Sequence, residues 1–425
     1  MRPMDDDDPF KNIVPFRAPS EEDRFPPAEA YANEFVEPAK PEAAPLKATA
    51  FVWKDPKTIP PRPWVYGHHM IRRQVSVTVA PGGVGKSSLT LVEALAIATG
   101  RPLLGEWVGR EGLRVWVYNL EDPRDEMERR VIGAMMHHHV NPESLGEGSD
   151  GGMRLYIDSG RERPLCTAID VRGEVTIVRP EIEALEAEII ARDIDVMIID
   201  PFVSSHRVSE NASGAIDLVA KEWARLADRT NCAIELVHHT RKTGGVDATT
   251  EDGRGSTALV AAARSARVLN KMNDEMREQA GVKSDPATIF GIDRDKANLA
   301  PAGARAWIRM ASVDLGNGDQ VGVAEPWQWP DAFAGVQVKD LLAVQNEVQR
   351  RWDADRPPRF SDQSGVDWVG HIVAEMLELD VEDDKRRIKK ILSDWMKAGA
   401  LRKAEYEDEH RKKRPCVEVG EWASE

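Results

Sequence analysis

Val75-Ser76-Val77-Thr78-Val79-Ala80-Pro81-Gly82-Gly83-Val84-Gly85-Lys86-Ser87-Ser88 is the stretch on which the fold turns. Its first five residues are a β-branched run of strand length. A Gly-rich turn follows. From Ser87 to Thr99, residues Leu89, Val92, Leu95 and Ala96 recur on one helical face. Strand, Gly-rich turn and helix, in that order, is the setting in which a turn ending in Lys-Ser binds phosphate. Glycines let the backbone wrap closely round phosphate oxygens, and the helix adds the positive end of its dipole. Pro81, Gly82, Gly83, Val84, Gly85, Lys86, Ser87 and Ser88 are therefore the expected cradle. In it Lys86 reaches the β- and γ-phosphates and Ser87 ligates Mg²⁺. Ala80 stands where the motif has its first glycine, a tolerable change if φ stays negative.

Outward from this turn, three apolar runs read as strands of a parallel sheet. Val115 to Tyr118 and Ile194 to Ile199 are continuous enough to be buried on both faces. Ala233 to Val237 is the third, interrupted by Glu235, and helical periodicity over Ile216–Leu226 falls between the last two. This alternation predicts an α/β core with a mostly parallel sheet and right-handed crossovers. Ligands of such sheets sit at the carboxyl ends of the strands. Asp200 closes the second run and is the expected second Mg²⁺ anchor, with a strand-end cap as the alternative. Asn119-Leu120-Glu121-Asp122-Pro123 follows the first run. If that strand neighbours the phosphate-loop strand, Glu121 points at the γ-phosphate as general base. Asp122 is its rival, or else caps a helix over Arg124–Met135. His238 and His239 close the third run, where an imidazole senses the γ-phosphate or serves structure alone. His137-His138-His139 lies late in a polar helix with no carboxylate or Cys at ligand spacing and reads as solvated surface.

Composition bounds the rest. At 425 residues the chain has room for about two or three domains. Its 57 basic and 72 acidic residues give a net charge of −15, which excludes a protein coated in positive charge but allows a local basic channel. Cys166, Cys232 and Cys416 are odd in number and far apart. They exclude a disulfide-stapled scaffold or a Cys-rich zinc module and fit a reducing cytoplasm. No apolar run is long enough to span a membrane, and MRPMDDDDPF lacks the layout of a signal peptide, so a cytoplasmic chain with no membrane partner is expected. Residues 1–50 hold 9 of the 27 prolines, and their acids outnumber their bases 11 to 6. A disordered, acidic, Pro-rich tail is expected there, with a short acidic docking segment around Asp5–Phe16 as the alternative. Order is expected from Phe51.

Four pieces occur in sequence: Ala80–Ser88 (APGGVGKSS), Asn119–Pro123 (NLEDP), Ile198–Pro201 (IIDP) with Ser209-Glu210-Asn211 behind it, and Val237–Lys242 (VHHTRK). Together they resemble the RecA-like fold. Within it they resemble the plasmid RepA-type hexameric replicative helicases and their phage and prophage relatives among the AAA-family ATPases. The resemblance covers residues 51–330. It implies an ATPase that uses ATP and Mg²⁺, with Lys86, catalytic Glu121, metal-binding Asp200 and Ser87, and sensor His239. It also implies a hexameric homo-oligomeric ring with nucleotide between subunits, so that a neighbour donates an arginine finger. Arg264 is the first choice, with Arg267 and Lys271 as rivals. Arg241, Lys242 and Arg254 would hold single-stranded DNA electrostatically at the pore. Asp295-Lys296-Ala297-Asn298 resembles a late motif of the family, with Lys296 on a phosphate or bridging Asp293. Arg62 and Trp64 would pack on the adenine, or Trp64 would be ordinary core.

A second compositional change comes after residue 330. Val338–Trp352, Trp368–Leu377 and Asp384–Ala398 read as helices, and Leu401–Tyr406 and Pro415–Val419 as strands. That order predicts a winged-helix-like domain over 331–425. Residues 385–414 hold 12 Lys or Arg against 5 Asp or Glu, an excess that predicts contact with duplex DNA or a protein, or a solvated basic face. The expected function is an ATP-dependent DNA helicase or translocase in replication of a plasmid, phage or integrated element. The alternatives are an ATP-dependent recombination or helicase-loading factor that binds DNA without unwinding it, and a nucleotide-switched DNA-binding regulator. Glu121 with a finger favours turnover over a silent switch. No residue separates unwinding from binding.

Overall fold

The structure is a computed structural model that describes residues 47–110, 112–146, 151–240, 247–249, 256–282, 285, 287–301, 303–408 and 410–423. The expected tail, residues 1–46, lies outside the described residues. The chain divides into two units, at residue 60. In the first, residues 47–60 hold a single 3-10 turn, Pro56–Thr58, capped by the Asp55 side chain, and all of them are exposed.

The second unit begins with a short antiparallel ribbon, β1 (Trp64–Tyr66) and β2 (Met70–Ile71). The core follows as β3 (Val75–Ala80), α1 (Lys86–Thr99), β4 (Val115–Asn119), α2 (Arg124–His137) and β5 (Leu155–Ser159). A ribbon of β6 (Ala168–Val171) and β7 (Glu174–Ile177) leads to α3 (Arg179–Ala191). Then come β8 (Val196–Asp200), α4 (Ser213–Thr230), β9 (Ala233–His239), α5 (Ser256–Ala262), β10 (Ser265–Lys271) and α6 (Asp274–Gln279). Three long strands close this part: β11 (Ile289–Ala297), β12 (Ala306–Asp314) and β13 (Gln320–Trp327).

Nine strands form one sheet in the order β13-β12-β11-β10-β3-β9-β8-β4-β5. From β10 to β5 every pairing is parallel, and from β10 to β13 every pairing is antiparallel. The fold is thus mixed α/β with a large, mostly parallel sheet, in keeping with a RecA-like phosphate-loop core. β3 shows how the sequence sets the layers. Val75, Val77 and Val79 enter the core shared with α3, α4 and α5. Ala80 joins the opposite core, built by α1, α2 and side chains of β11–β13 such as Phe290, Ile308 and Val323. Alternate residues of a strand face opposite sides, so the β3 backbone separates the two cores.

After β13, α7 (Val338–Asp353) starts on a capping box made by Gln337 and Asp340. α8 (Val369–Met376), α9 (Lys385–Lys397) and the hairpin β14 (Leu401–Glu407)–β15 (Lys413–Val419) follow. These elements share their own core, including Val344, Val348, Ile372, Ile388, Ile391 and Leu401. No helix among the described residues is long and apolar enough to cross a membrane.

Candidate active site

The turn after β3 is shaped by Gly83 and Gly85, which take φ of +70° and +114°. Gly85 is doubly constrained. A Cβ there would sit 2.8 Å from Met310 Sδ on β12, and its backbone angle is one that side chains disfavour. Gly82 and Gly83 face open space, which leaves the mouth of the turn accessible. Lys86 opens α1 and is only 7% exposed. Its Nζ lies 3.2 Å from His239 Nδ1. Burial pulls its ammonium below the ordinary lysine range, while Asp200 and Glu121 pull in the opposite direction. An ammonium held this way gains when a phosphate anion arrives.

His239 reaches this point through sheet register. β9 runs parallel to β3 with Ala80 opposite His239, and Thr240 N donates to Ala80 O at 3.0 Å. Asp200 ends β8, the next strand out, and is 4% exposed. Burial raises its carboxyl above the usual range, while a hydrogen bond with Ser87 and the charge of Lys86 oppose the rise. Its Oδ2 is buried with no hydrogen-bond partner among the described residues. An orphaned carboxylate oxygen beside a serine hydroxyl fits a hard cation that prefers oxygen ligands. Ser87 and Asp200 therefore fit Mg²⁺.

The condition set for Glu121, that its strand neighbour the phosphate-loop strand, is not met in the sheet. β9 and β8 lie between β3 and β4. Glu121 approaches instead from the loop beyond β4. Leu120 N donates to Asp200 O at 2.7 Å, tying that loop to the end of β8. Asn119 Oδ1 accepts from both Glu121 N and Asp122 N, forming a side-chain-stabilised turn. The two carboxylates then diverge. Asp122 is held by Arg130 at 2.6 Å. Glu121 is exposed, has no ion pair among the described residues, and acts electrostatically on both Lys86 and Asp200.

Other expected residues are placed elsewhere. The Ser88 hydroxyl accepts a hydrogen bond from Ala324 N of β13, so it anchors α1 rather than facing a ligand. Arg264 is exposed at the start of β10, where its N–H donates to Val75 O. That is the amino edge of the sheet, a strand's length from Lys86 in the same chain. Arg267 is a core residue, 3% exposed and paired through two 2.6 Å bonds with Glu93. It cannot reach a neighbour's phosphate from there. Lys271 is exposed at the carboxyl end of β10. Lys296 does neither thing expected of it, because its Nζ caps α5 through Val260 O and Ala261 O. Arg62 donates to Leu299 O, and Trp64 is half-buried edge-on to His68. Arg241, Lys242 and Arg254 lie outside the described residues. His137 and His138 are not solvated surface. They are half-buried and fasten α2 to β13 through Glu325 and Ala324 O. No group of three or more metal-ligating side chains occurs among the described residues.

The sequence reading missed a buried polar network under α1. Glu235, wholly buried in β9, accepts hydrogen bonds from Ser76 and Thr78 and pairs with His69 at 3.0 Å. Burial alone would raise its carboxyl, but His69, Arg267 and Ser76 overturn that and hold it at about 2. The available signal was periodicity, since Ser76 and Thr78 alternate with valines and so share one face of β3.

Residues 40–245 match the family model described as an AAA domain. The match spans the phosphate loop, Glu121, Asp200 and His239. This part of the chain is similar to AAA domains, which supports a phosphate-loop ATPase.

Proposed function

We propose that the chain is an ATP-driven motor on DNA, a helicase or translocase in replication of a plasmid, phage or integrated element, working as a hexameric homo-oligomeric ring. The observation that carries this reading is the register of β9 on β3. It sets His239 against Lys86, so the histidine proposed as γ-phosphate sensor ends the strand that runs on in sequence to Arg241, Lys242 and Arg254. Loss of the phosphate is then felt at the start of a basic segment suited to a single strand.

Lys86 exchanges its contact with His239 for the β- and γ-phosphate oxygens of ATP. Mg²⁺, held by Ser87 and Asp200, would supply charge neutralisation at the phosphates. Glu121 accepts the proton of the attacking water as the water oxygen bonds to the γ-phosphorus and the bridge to the β-phosphate breaks. Arg264 of a neighbouring copy is proposed to steady the charge that develops.

The test is unwinding of a forked duplex with ATP. Strand separation by the wild type and its loss in Lys86→Ala support the motor. ATP-dependent DNA binding without strand separation moves the reading to a loading factor.

A further inference from the structure

A groove of about 800 Å³ opens in the C-terminal module between α9 and β14. Its floor is apolar, made by Phe360, Leu392 and Met396, and its rim carries Lys389, Lys397, Arg402 and Lys403. We propose that this groove docks an acidic peptide segment of a partner protein, one apolar side chain entering the floor while flanking carboxylates meet the basic rim. The proposal is independent of whether the ATPase core is a motor.

Charge and ring geometry select this occupant. Asp362 is neutralised by Lys389 at 2.5 Å, with Lys385 at 3.8 Å. Arg402 pairs with Glu418 at 2.7 Å, and Lys397 lies 3.7 Å from Asp394. Lys403 has no carboxylate within ion-pair reach among the described residues, and its ammonium sits 3.9 Å over the Phe360 ring. With Lys390, which also pairs with Asp394, the six cations thus exceed the three acids, in a chain whose net charge is −15. A polyanion is attracted here locally, although the chain as a whole repels it.

Nucleic acid fits less well. Single-strand binding needs exposed ring faces for bases. The Phe360 face is covered by Lys403, and Trp368 is 3% exposed and packed on Gly370. Duplex binding needs cations available to phosphates. On α9, Arg386 holds Glu278, Arg387 donates to the carbonyls of Ala332 and Ala334, and Lys390 pairs with Asp394. What remains is an apolar slot, with an adaptable methionine in its wall and a positive border. An acidic segment with one Leu, Phe or Trp supplies both complements.

The experiment uses the full chain on an array of dodecapeptides. One Phe, Leu or Trp is walked through an Asp/Glu/Ser background, with Lys/Arg backgrounds and anchor-free peptides as controls. The tightest acidic peptide and a 15-mer of thymidylate are then measured by fluorescence anisotropy. We expect acidic anchored peptides to bind at least about tenfold tighter than anchor-free ones, more weakly as salt rises. Lys403→Glu and Met396→Asp should each lose about tenfold while melting with the wild type. Lys397→Glu, on the exposed rim, gives the same readout should Met396→Asp unfold the module. Peptide binding indifferent to these substitutions, or no preference for acidic anchored peptides, overturns the proposal. Loss of oligonucleotide binding alone in the same variants also overturns it, and assigns the groove to nucleic acid.

Discussion

Glu121 and Asp122 share one turn built on Asn119, and only their partners separate them. Asp122 is bound to Arg130, so its carboxylate is already hydrogen-bonded and poorly placed to take a proton. Glu121 keeps its carboxylate toward solvent within the field of Lys86 and Asp200. Glu121→Gln should therefore bind a fluorescent ATP analogue as the wild type does and hydrolyse ATP about 10²-fold or more slowly. Asp122→Asn should keep most of its turnover. Normal hydrolysis in the first variant would move the base elsewhere. Gly85 carries a different kind of constraint. Gly85→Ala meets Met310 and a left-handed backbone angle together, and should cost about 1–3 kcal/mol in urea unfolding. A companion Met310→Ala substitution should relieve the clash and leave the backbone strain.

At the scale of the element, β9 and β8 join the site to buried polar chemistry. Removing the Glu235 carboxylate leaves His69 and the Ser76 and Thr78 hydroxyls without their acceptor inside the core. Glu235→Ala should cost about 3–5 kcal/mol, since the partners of a buried charge are stranded when it goes. Equal stability of variant and wild type in denaturant would contradict that account. His206, on the segment after β8, packs edge-on to Phe202 with ring centroids 4.7 Å apart, and its Nδ1 accepts from Val208 N. Burial, with His238 adding to it, lowers its imidazole to about 4. The unfolded chain protonates this group below about pH 6.5. Between about 4 and 6.5 the unfolded state therefore binds more protons than the folded one. The contribution of His206 is complete above that window and fades as pH falls through it, at up to ~1.4 kcal/mol per pH unit. Urea titrations at about pH 7 and pH 5 should show the loss, and His206→Asn should make the slope shallower by about one proton. A slope untouched by the substitution would place the neutral histidine elsewhere.

At the scale of the whole molecule, the parallel sheet separates two edges. Lys86, His239, Asp200 and Glu121 gather at the carboxyl edge, whereas Arg264 lies at the amino edge, about 16–20 Å away along β3. Within one chain Arg264 cannot serve its own phosphate loop, so a catalytic role for it requires a second copy. Arg264→Ala should bind nucleotide normally and lose hydrolysis. Mixing it with Glu121→Gln subunits should restore hydrolysis that neither variant has alone, because mixed interfaces pair an intact base with an intact arginine. No recovery in such mixtures would remove Arg264 from the finger role. Lys271, exposed at the same edge as Lys86, would then be the next residue to replace.

Local signals reached far in this chain because its strands and helices are short-range objects. The β-branched run before the Gly-rich turn, the helical face after it and the apolar runs ending at Asn119, Asp200 and His239 all depend on neighbours within a few residues. Each lies within a residue or two of its expected bounds, as do the three helices and hairpin of the C-terminal module. The strands β11–β13 are not legible locally, because their sequence mixes Arg, Asp and Lys with apolar residues and gains its burial by packing on α1 and α2 on one face and, at Ile289, around Met272, Met276 and Ala280. Strand order, too, is a long-range property, so it took the folded sheet to put β8 and β9 between Glu121 and the phosphate loop. The same holds for charge. Sequence counts cations, but only tertiary contacts reveal that Arg267 is locked to Glu93, that Lys296 caps a helix and that Lys403 stands open over a groove.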